Sequence, residues 1–158
     1  MNNDKDLKVK RIEKGTVIDH ISGGKALLIL RVIRVDEGDD TLLILVNVQS
    51  RRFGKKDIIK IENRELSQKE IDAISLIAPE AKINIINNFK VTEKIKVKLP
   101  ESIEGIAKCA NPDCITNTNE PILSKFEVWK KDGEDPILRC NYCERTTRVE
   151  EGVLDLFR

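Results

Sequence analysis

Short β-branched segments alternate with turn residues along the first hundred positions of this 158-residue chain. Segments rich in Val, Ile and Thr and bounded by Gly, Asn, Asp or Pro are typical of β-strands. The first of them ends at Ser22-Gly23-Gly24, which is a turn signal. The pattern predicts strands at residues 15–21, 41–48, 58–62, 81–86 and 89–97.

Two helices are predicted between these strands. Residues 26–35 suit either a buried helix or a strand, because an Ala-Leu-Leu-Ile-Leu run is followed by β-branched residues, and we favour the helix. Ser67 and Glu70 have the spacing of a capping box, and apolar residues then repeat at helical spacing until Pro79. The order β-α-β-β-α-β, with one further strand, predicts an α+β fold: a ferredoxin-like antiparallel sandwich with its helices on one face.

The last predicted strand carries a regular pattern of lysines. Side chains alternate between the two faces of a strand. One face is expected to hold Lys90, Lys94, Lys96 and Lys98, and the other Val91, Ile95, Val97 and Leu99. Two interpretations stay open: lysines that protect an exposed edge, or a face that binds phosphate. A second basic group, Lys55, Lys56 and Lys60, adds to the case for phosphate.

The charge distribution divides the chain near Pro100. Residues 1–100 carry 20 Lys plus Arg against 15 Asp plus Glu, a net of +5, whereas residues 101–158 carry 8 against 12, a net of −4. Proline cannot donate to a sheet ladder, so it suits a boundary between sheets. We therefore expect two domains, residues 1–100 and residues 101–158. No apolar run approaches the ~20 residues of a membrane span, so no membrane segment is expected.

Four cysteines fall in the second of these domains. Cys109 and Cys114 form a C-x4-C pair, and Cys140 and Cys143 form a C-x2-C pair. Four thiolates from two such knuckles suit one tetrahedral zinc, and a closed shell makes that zinc structural within a small all-β domain. Two disulfides, or iron at the same thiolates, are the alternatives. The opening Met-Asn-Asn-Asp-Lys-Asp lacks the apolar stretch of a signal peptide, so we expect a cytoplasmic protein and zinc.

Catalytic motifs are absent from the sequence. It has no P-loop, no G-x-G-x-x-G and no nucleophile motif, and its single histidine, His20, follows Asp19 without a second histidine or a nearby nucleophile. We therefore interpret the chain as non-catalytic. A nucleic-acid-binding zinc ribbon is the rival interpretation, but such modules usually present a basic face, and the cysteine domain has a net charge of −4.

Longer motifs run through the whole chain. They are residues 11–21 (Arg-Ile-Glu-Lys-Gly-Thr-Val-Ile-Asp-His-Ile), residues 54–63, the helix start Leu66-Ser67 with its end Ala78-Pro79-Glu80-Ala81, Leu99-Pro100-Glu101, and the cysteine spacing with Cys140-Asn-Tyr-Cys-Glu144. Together they strongly resemble the regulatory chain of aspartate carbamoyltransferase. The resemblance covers essentially the whole sequence.

The resemblance implies an allosteric regulatory subunit of pyrimidine biosynthesis whose N-terminal domain binds the nucleotide effectors CTP, UTP and ATP. By residue-to-residue transfer, Ile12 and Val17 would line the base pocket, with Asp19 and His20 at its entrance. The remaining transferred positions are Lys60 for base or ribose, Asn84 and Val91 for base or sugar, and Lys94 for the triphosphate. Phe89 stands at an aromatic position where related chains can have Tyr, so a hydroxyl contact is lost there.

The resemblance also implies partners. The zinc domain would dock on the catalytic chain of aspartate carbamoyltransferase. Regulatory chains would form homodimers, and three such dimers would join two catalytic trimers in a heterododecamer. Neither a nucleic acid nor a membrane is an expected partner.

Overall fold

The computed structural model describes residues 11–35, 38–51 and 54–149. The outer ends of both predicted domains, residues 1–10 and 150–158, lie outside these ranges. In the described part, two helices and nine strands follow one another along the chain. They are β1 (Gly15–Ser22), α1 (Ala26–Val32), β2 (Leu42–Ser50), β3 (Gly54–Glu62), α2 (Gln68–Ile77), β4 (Lys82–Asn87), β5 (Lys90–Lys96), β6 (Ser102–Glu104), β7 (Lys125–Trp129), β8 (Ile137–Cys140) and β9 (Thr146–Arg148).

The first five strands form one antiparallel sheet in the order β2-β3-β1-β4-β5. Strands β1 to β4 with their two helices have the ferredoxin-like arrangement, and β5 extends the sheet beside β4. The predicted α+β fold is therefore confirmed, including the choice of a helix after β1. The helix is shorter than predicted, because the chain turns at Ile33 and Arg34 and Arg34 adopts a φ of 49°.

Both helices cover the same face of this sheet. Alternate strand residues point toward the helices and are fully buried, whereas the residues between them on the opposite face are only partly covered. The core between sheet and helices is built mainly from isoleucine: Ile18, Ile59, Ile61 and Ile83 from the strands, with Ile29 and Ile74 from the helices. One face of the sheet is thus left open to a ligand.

Strand β3 begins at Gly54 and is longer than the predicted residues 58–62. Its first residues, Lys55 and Lys56, pair with Gln49 and Val48 of β2. The hydrophobicity pattern does not predict strand at these polar residues, although backbone pairing does not require apolar side chains. The basic residues of this segment consequently lie on the sheet rather than in a loop.

Gly15 allows β1 and β3 to approach closely. A Cβ at this position would lie 2.0 Å from the Ile61 carbonyl oxygen, and the residue has a φ of 142°. Only glycine avoids that collision while adopting this φ. The position of β1 against β3, and therefore the geometry of the open face, depends on it.

Helix α2 begins with the predicted capping box. The Ser67 hydroxyl accepts a hydrogen bond from the Glu70 N–H at 3.3 Å, and the Glu70 carboxylate accepts one from the Ser67 N–H at 2.7 Å. The other Glu70 oxygen accepts a charged hydrogen bond from Arg64, which also donates to the Ile33 carbonyl at 3.1 Å. Glu70 therefore links the start of α2 to the end of α1.

The remaining strands form a second antiparallel sheet in the order β6-β7-β8-β9. Phe126 and Leu138 are its most deeply buried large side chains. One polar link connects this sheet to the first half of the structure: the Lys25 Nζ donates to the Ile77 carbonyl at 3.1 Å and to the Asp135 carboxylate at 3.3 Å. Among the described residues, no helix is long and apolar enough to cross a bilayer.

The double role of Glu70 makes Glu70→Ala destabilising by about 2–3 kcal/mol, because a cap and a buried charged hydrogen bond are lost together. Urea unfolding followed by circular dichroism measures the change. Gln68→Ala is the matched control, since the Gln68 side chain donates to Asp72 on the exposed surface, and it should cost about 0.5 kcal/mol or less. Equal losses in the two variants would contradict this role.

Candidate functional site

The four cysteines converge in the second sheet although two of them are 25 or more residues distant from the others. Cys109 and Cys114 lie on the segment that leads into a short 3-10 helix, Ile115–Asn117, while Cys140 ends β8 and Cys143 follows in the next turn. All four sulfur atoms lie within 4.8 Å of one another. The Sγ–Sγ distances are 3.5 Å for Cys109 to Cys143 and 3.8 Å for Cys114 to Cys140.

These distances fit a tetrahedral zinc. With Zn–S bonds of about 2.3 Å, sulfur atoms at the corners of a tetrahedron are about 3.8 Å apart. All four thiols are free rather than joined as disulfides, and three of them are buried. The residues therefore supply four ligands and leave no open position, as a structural metal requires.

Polar groups around the cysteines hold the knuckles in shape. The Asn117 side-chain amide donates to the carbonyl oxygens of Cys109 at 2.8 Å and Asn111 at 2.6 Å. The Thr116 hydroxyl lies 3.2 Å from the Cys114 sulfur and can donate to it. Hydrogen bonds of this kind orient metal ligands and strengthen metal binding.

Without a metal, the thiols differ in their affinity for protons. Burial raises the pKa of Cys109 to about 12. At Cys143 burial also acts to raise the pKa, but hydrogen bonds from the Arg145 N–H and the Asn111 side chain outweigh it, and the pKa is lowered to about 7. A bound divalent metal must displace the remaining protons, so metal binding and proton release are coupled.

A pocket of about 310 Å³ opens on the uncovered face of the five-stranded sheet. Its walls combine apolar side chains with a few polar groups, which is the usual composition of a small-molecule site. It is lined by Arg11, Ile12, Val17, Lys60, Asn84, Ile86, Phe89 and Val91. Five of these are residues for which a nucleotide contact was predicted: Ile12, Val17, Lys60, Asn84 and Val91.

Strand pairing aligns the polar residues of the pocket. Val17 pairs with Lys60 on one side and with Asn84 on the other, and Asn84 pairs with Lys94. Residues paired across antiparallel strands share one face. Lys60, Val17, Asn84 and Lys94 therefore form one row across the open face.

The next row on the same face is also cationic. Asp19 pairs with Lys82, and Lys82 pairs with Lys96. Lys56 reaches the Asp19 carboxylate at 2.9 Å, and the His20 Nδ1 lies 3.5 Å from its other oxygen. Asp19 and His20 thus lie beside the pocket, at the end opposite to Ile86 and Phe89.

Lys60 is the cation most affected by the pocket itself. Burial lowers its pKa below the ordinary value, Arg11 lowers it further, and Asp19 acts in the opposite direction. An anionic or carbonyl oxygen of a ligand would stabilise the charged form of Lys60 in return. Lys60 can therefore donate a hydrogen bond to an acceptor atom in the pocket.

Two predictions about β5 are wrong. Lys90 and Val91 do not follow simple alternation, because Val91 pairs with Ile86 and Glu93 with Ile85, so that Thr92 is an extra residue in the strand. This bulge places Val91 on the same face as Lys94, and Lys90 on the other. Phe89, predicted to begin the strand, instead lies in the two-residue turn between β4 and β5 with a φ of 62°.

Several pocket residues were not among the predicted contacts. Ile86 is two residues after Asn84 on one strand, so alternation could have indicated it. Phe89 stands at the aromatic position that the resemblance had already indicated, although no contact was assigned to it. Arg11 was not predicted; tertiary contacts bring it to the pocket, since the Phe89 N–H donates to the Glu13 carbonyl at 3.0 Å and fixes the turn against the segment before β1. Lys82 carried no sequence signal, because its place in the second row depends on strand register.

Comparison with known proteins gives matches over both sheets. Residues 7–98 match the family described as "Aspartate carbamoyltransferase regulatory chain, allosteric domain", and residues 101–152 match "Aspartate carbamoyltransferase regulatory chain, metal binding domain". The chain is 53% identical over 139 residues to an aspartate carbamoyltransferase regulatory chain of Methanoculleus marisnigri, covering 87% of this chain and 86% of that one.

Two further relatives carry the same name, and each aligns with this chain over nearly the full length of both proteins. The protein of Thermococcus sibiricus is 50% identical over 151 residues, 95% of this chain and 96% of the relative. That of Methanopyrus kandleri is 46% identical over 154 residues, 96% of each. The predicted resemblance is thereby confirmed.

The thiol geometry predicts one zinc per chain, measurable by atomic emission after dialysis. Cys114→Ser should abolish stoichiometric binding, because a neutral hydroxyl replaces a thiolate. Thr116→Val is the matched variant: it retains four thiolates and should keep the stoichiometry while weakening affinity about tenfold. Iron in place of zinc, or full zinc content in the Cys114→Ser protein, would contradict the assignment.

Proposed function

This chain belongs to the family of aspartate carbamoyltransferase regulatory chains, and from that premise we propose that its open sheet face binds nucleotide effectors and that its zinc domain joins catalytic subunits. As a member of this family it is a non-catalytic subunit with an allosteric domain and a metal-binding domain. We place the boundary between them at Pro100, giving domains of residues 1–100 and 101–158. The cytoplasm is its expected location.

The row of Lys60, Val17, Asn84 and Lys94 beside the pocket is the observation that carries the nucleotide proposal. Its two ends are lysines, and its centre offers an apolar surface with an amide that can both donate and accept. The apolar centre with its amide suits a nucleobase, and the lysines at the two ends suit a phosphate chain.

The arrangement of the pocket suggests how a nucleotide lies on the sheet. The apolar end, with Ile86, Val91 and Phe89, would hold the base and ribose, for which about 310 Å³ is sufficient space. The triphosphate would extend over Lys94 toward Lys82. There it would meet several ammonium groups, with Asp19 as a nearby acid that is already paired to Lys56. CTP, UTP and ATP share this phosphate chain and are the effectors proposed here.

The metal-binding domain would dock on the catalytic chain through the surface around the cysteines. Ile115 and Tyr142 are 43% and 47% exposed, and each is adjacent in sequence to a metal ligand. Large exposed apolar groups beside a rigid metal centre suit a protein interface. Bound zinc would supply no chemistry; the four cysteines would hold it so that the two knuckles keep one shape.

A homodimer would allow one docking surface per chain to connect two catalytic trimers. The edge strand β2 and helix α1 expose Ile44, Val46 and Leu27, which supports an association through the first sheet. Two-fold symmetry would then direct the two zinc domains toward different trimers. Three such dimers between two trimers complete the proposed heterododecamer.

Lys94→Ala should weaken CTP binding by about ten- to hundredfold, since a charge-assisted contact contributes roughly 1.5–3 kcal/mol. Calorimetric titration of the isolated chain measures it. Lys90→Ala is the control, because it removes the same charge from the same strand but on the other face. Similar affinities for the two variants would mean that the lysines only protect the sheet edge.

Regulation itself is tested in the assembled enzyme. With a catalytic chain bound, CTP should shift aspartate saturation, and the shift should disappear when the assembly contains Lys94→Ala chains. Coupling free energies of this kind are about 1–3 kcal/mol and are reciprocal, so a bisubstrate analogue on the catalytic chain should change CTP affinity by the same factor. If the saturation curves with and without each nucleotide superimpose, the chain does not regulate the enzyme and is only a structural linker.

A further inference from the structure

Asp57 is a fully buried carboxylate at the centre of the sheet. It faces the helices rather than the nucleotide pocket, and it accepts three hydrogen bonds from backbone N–H groups. One oxygen accepts from Gly24 at 2.9 Å and from Ala26 at 3.0 Å, and the other accepts from Asn47 at 2.9 Å. A buried carboxylate with this many backbone donors holds those backbone segments in place.

The Asn47 donor belongs to β2, whereas the Gly24 and Ala26 donors lie in the turn after β1 and at the start of α1. Strands β1 and β2 flank β3, and both are bulged at this level. Between its pairs with Ile59 and Asp57, β1 contains one extra residue, and β2 likewise contains one extra residue between its pairs with Ile58 and Lys56. Each bulge has a residue in the left-handed region, His20 with a φ of 58° and Asn47 with a φ of 59°. Such conformations persist only where surrounding contacts hold them.

The bulge in β1 contains Asp19 and His20. Asp19 points to the open face because it follows the buried Ile18, and the extra residue returns Ile21 to the core. Lys56, the neighbour of Asp57 in the chain, projects to that open face and reaches Asp19 at 2.9 Å. The carboxylate on the covered face and the cationic row on the open face are therefore parts of one backbone arrangement.

We propose that Asp57 is a positioning residue for the phosphate end of the effector site. It acts through the backbone: by holding the turn after β1 and the bulge of β2, it fixes where Asp19, His20 and Lys56 stand relative to Lys82 and Lys94. The inference rests on the proposed nucleotide function. It expects Asp57 to affect the binding of the phosphates, through the backbone, and not the binding of the base.

Asp57→Asn tests the idea with almost no change in shape. An amide has one acceptor oxygen, and its NH2 group cannot accept, so either the Gly24 and Ala26 donors or the Asn47 donor would lose a partner. The affinity for CTP should fall about tenfold. Binding of cytidine, which has no phosphate, should change by less than about twofold and is measured by ligand-observed NMR.

Thr16→Val is the matched control. Thr16 is also fully buried on the covered face of β1, and its hydroxyl bonds to the Arg64 carbonyl at 2.6 Å, so the variant loses a buried hydrogen bond away from the bulges. It should destabilise the chain without changing the ratio of CTP to cytidine affinity. The same ratio in the Asp57→Asn and Thr16→Val proteins would overturn the proposal.

Hydrogen exchange in the unaltered chain provides a measurement that needs no variant. CTP should slow exchange of the Gly24, Ala26 and Asn47 amides more than cytidine does at equal saturation, because only the phosphates would reach the row of Asp19, Lys82 and Lys96 beside the β1 bulge. Equal protection by the two ligands would overturn the proposal. If neither ligand binds the wild-type chain, the proposed nucleotide function itself is wrong. If the wild-type chain binds CTP but shows no difference between the two ligands, only the role of Asp57 is wrong.

Discussion

Burial of only one face of the five-stranded sheet is the constraint on which the rest of this structure depends. Both helices lie on that face and cover a core of isoleucine side chains. On the opposite face of the same strands, Lys94 is exposed beside the apolar pocket, and Lys60 and Asn84 are half-buried in its wall. Neighbouring residues of a strand point in opposite directions. One face of each strand therefore supplies core side chains, and the other supplies the side chains of the pocket.

Bulges change which residues face the pocket at two points, in β5 and in β1. At Thr92 the extra residue transfers Val91 to the pocket face while Lys94 remains there, so that an apolar wall and a cation occur on one short strand. In β1 the extra residue allows Asp19 and His20 to follow Ile18 without moving Ile21 out of the core. Each bulge interrupts backbone pairing locally, and in β2 the buried Asp57 carboxylate compensates by accepting from the Asn47 N–H.

The second sheet is too small to depend on burial alone. Its largest core residues, Phe126 and Leu138, lie beside a cluster of four thiols whose distances suit one zinc, so a bound metal would add directly to folding. Lys25 contacts both the end of α2 and Asp135 in the loop between β7 and β8, which makes it a polar link between the first sheet with its helices and the second sheet. Because Lys25 follows the turn that Asp57 holds, the link begins close to the phosphate end of the proposed site.

The sequence by itself determined the order of strands and helices, the capping box at Ser67 and Glu70, and the four metal ligands, since each depends on local spacing or on residue chemistry. Motif resemblance added the residues of the proposed nucleotide site. Only the tertiary structure decided the register that aligns Lys60, Val17, Asn84 and Lys94, brought Lys82 into the neighbouring row, and placed Arg11 and Phe89 on the pocket wall. It also decided that Lys90 and Val91 exchange faces. The physical reason is that alternation is a property of one strand, whereas register and bulges arise from hydrogen bonds between strands distant in sequence.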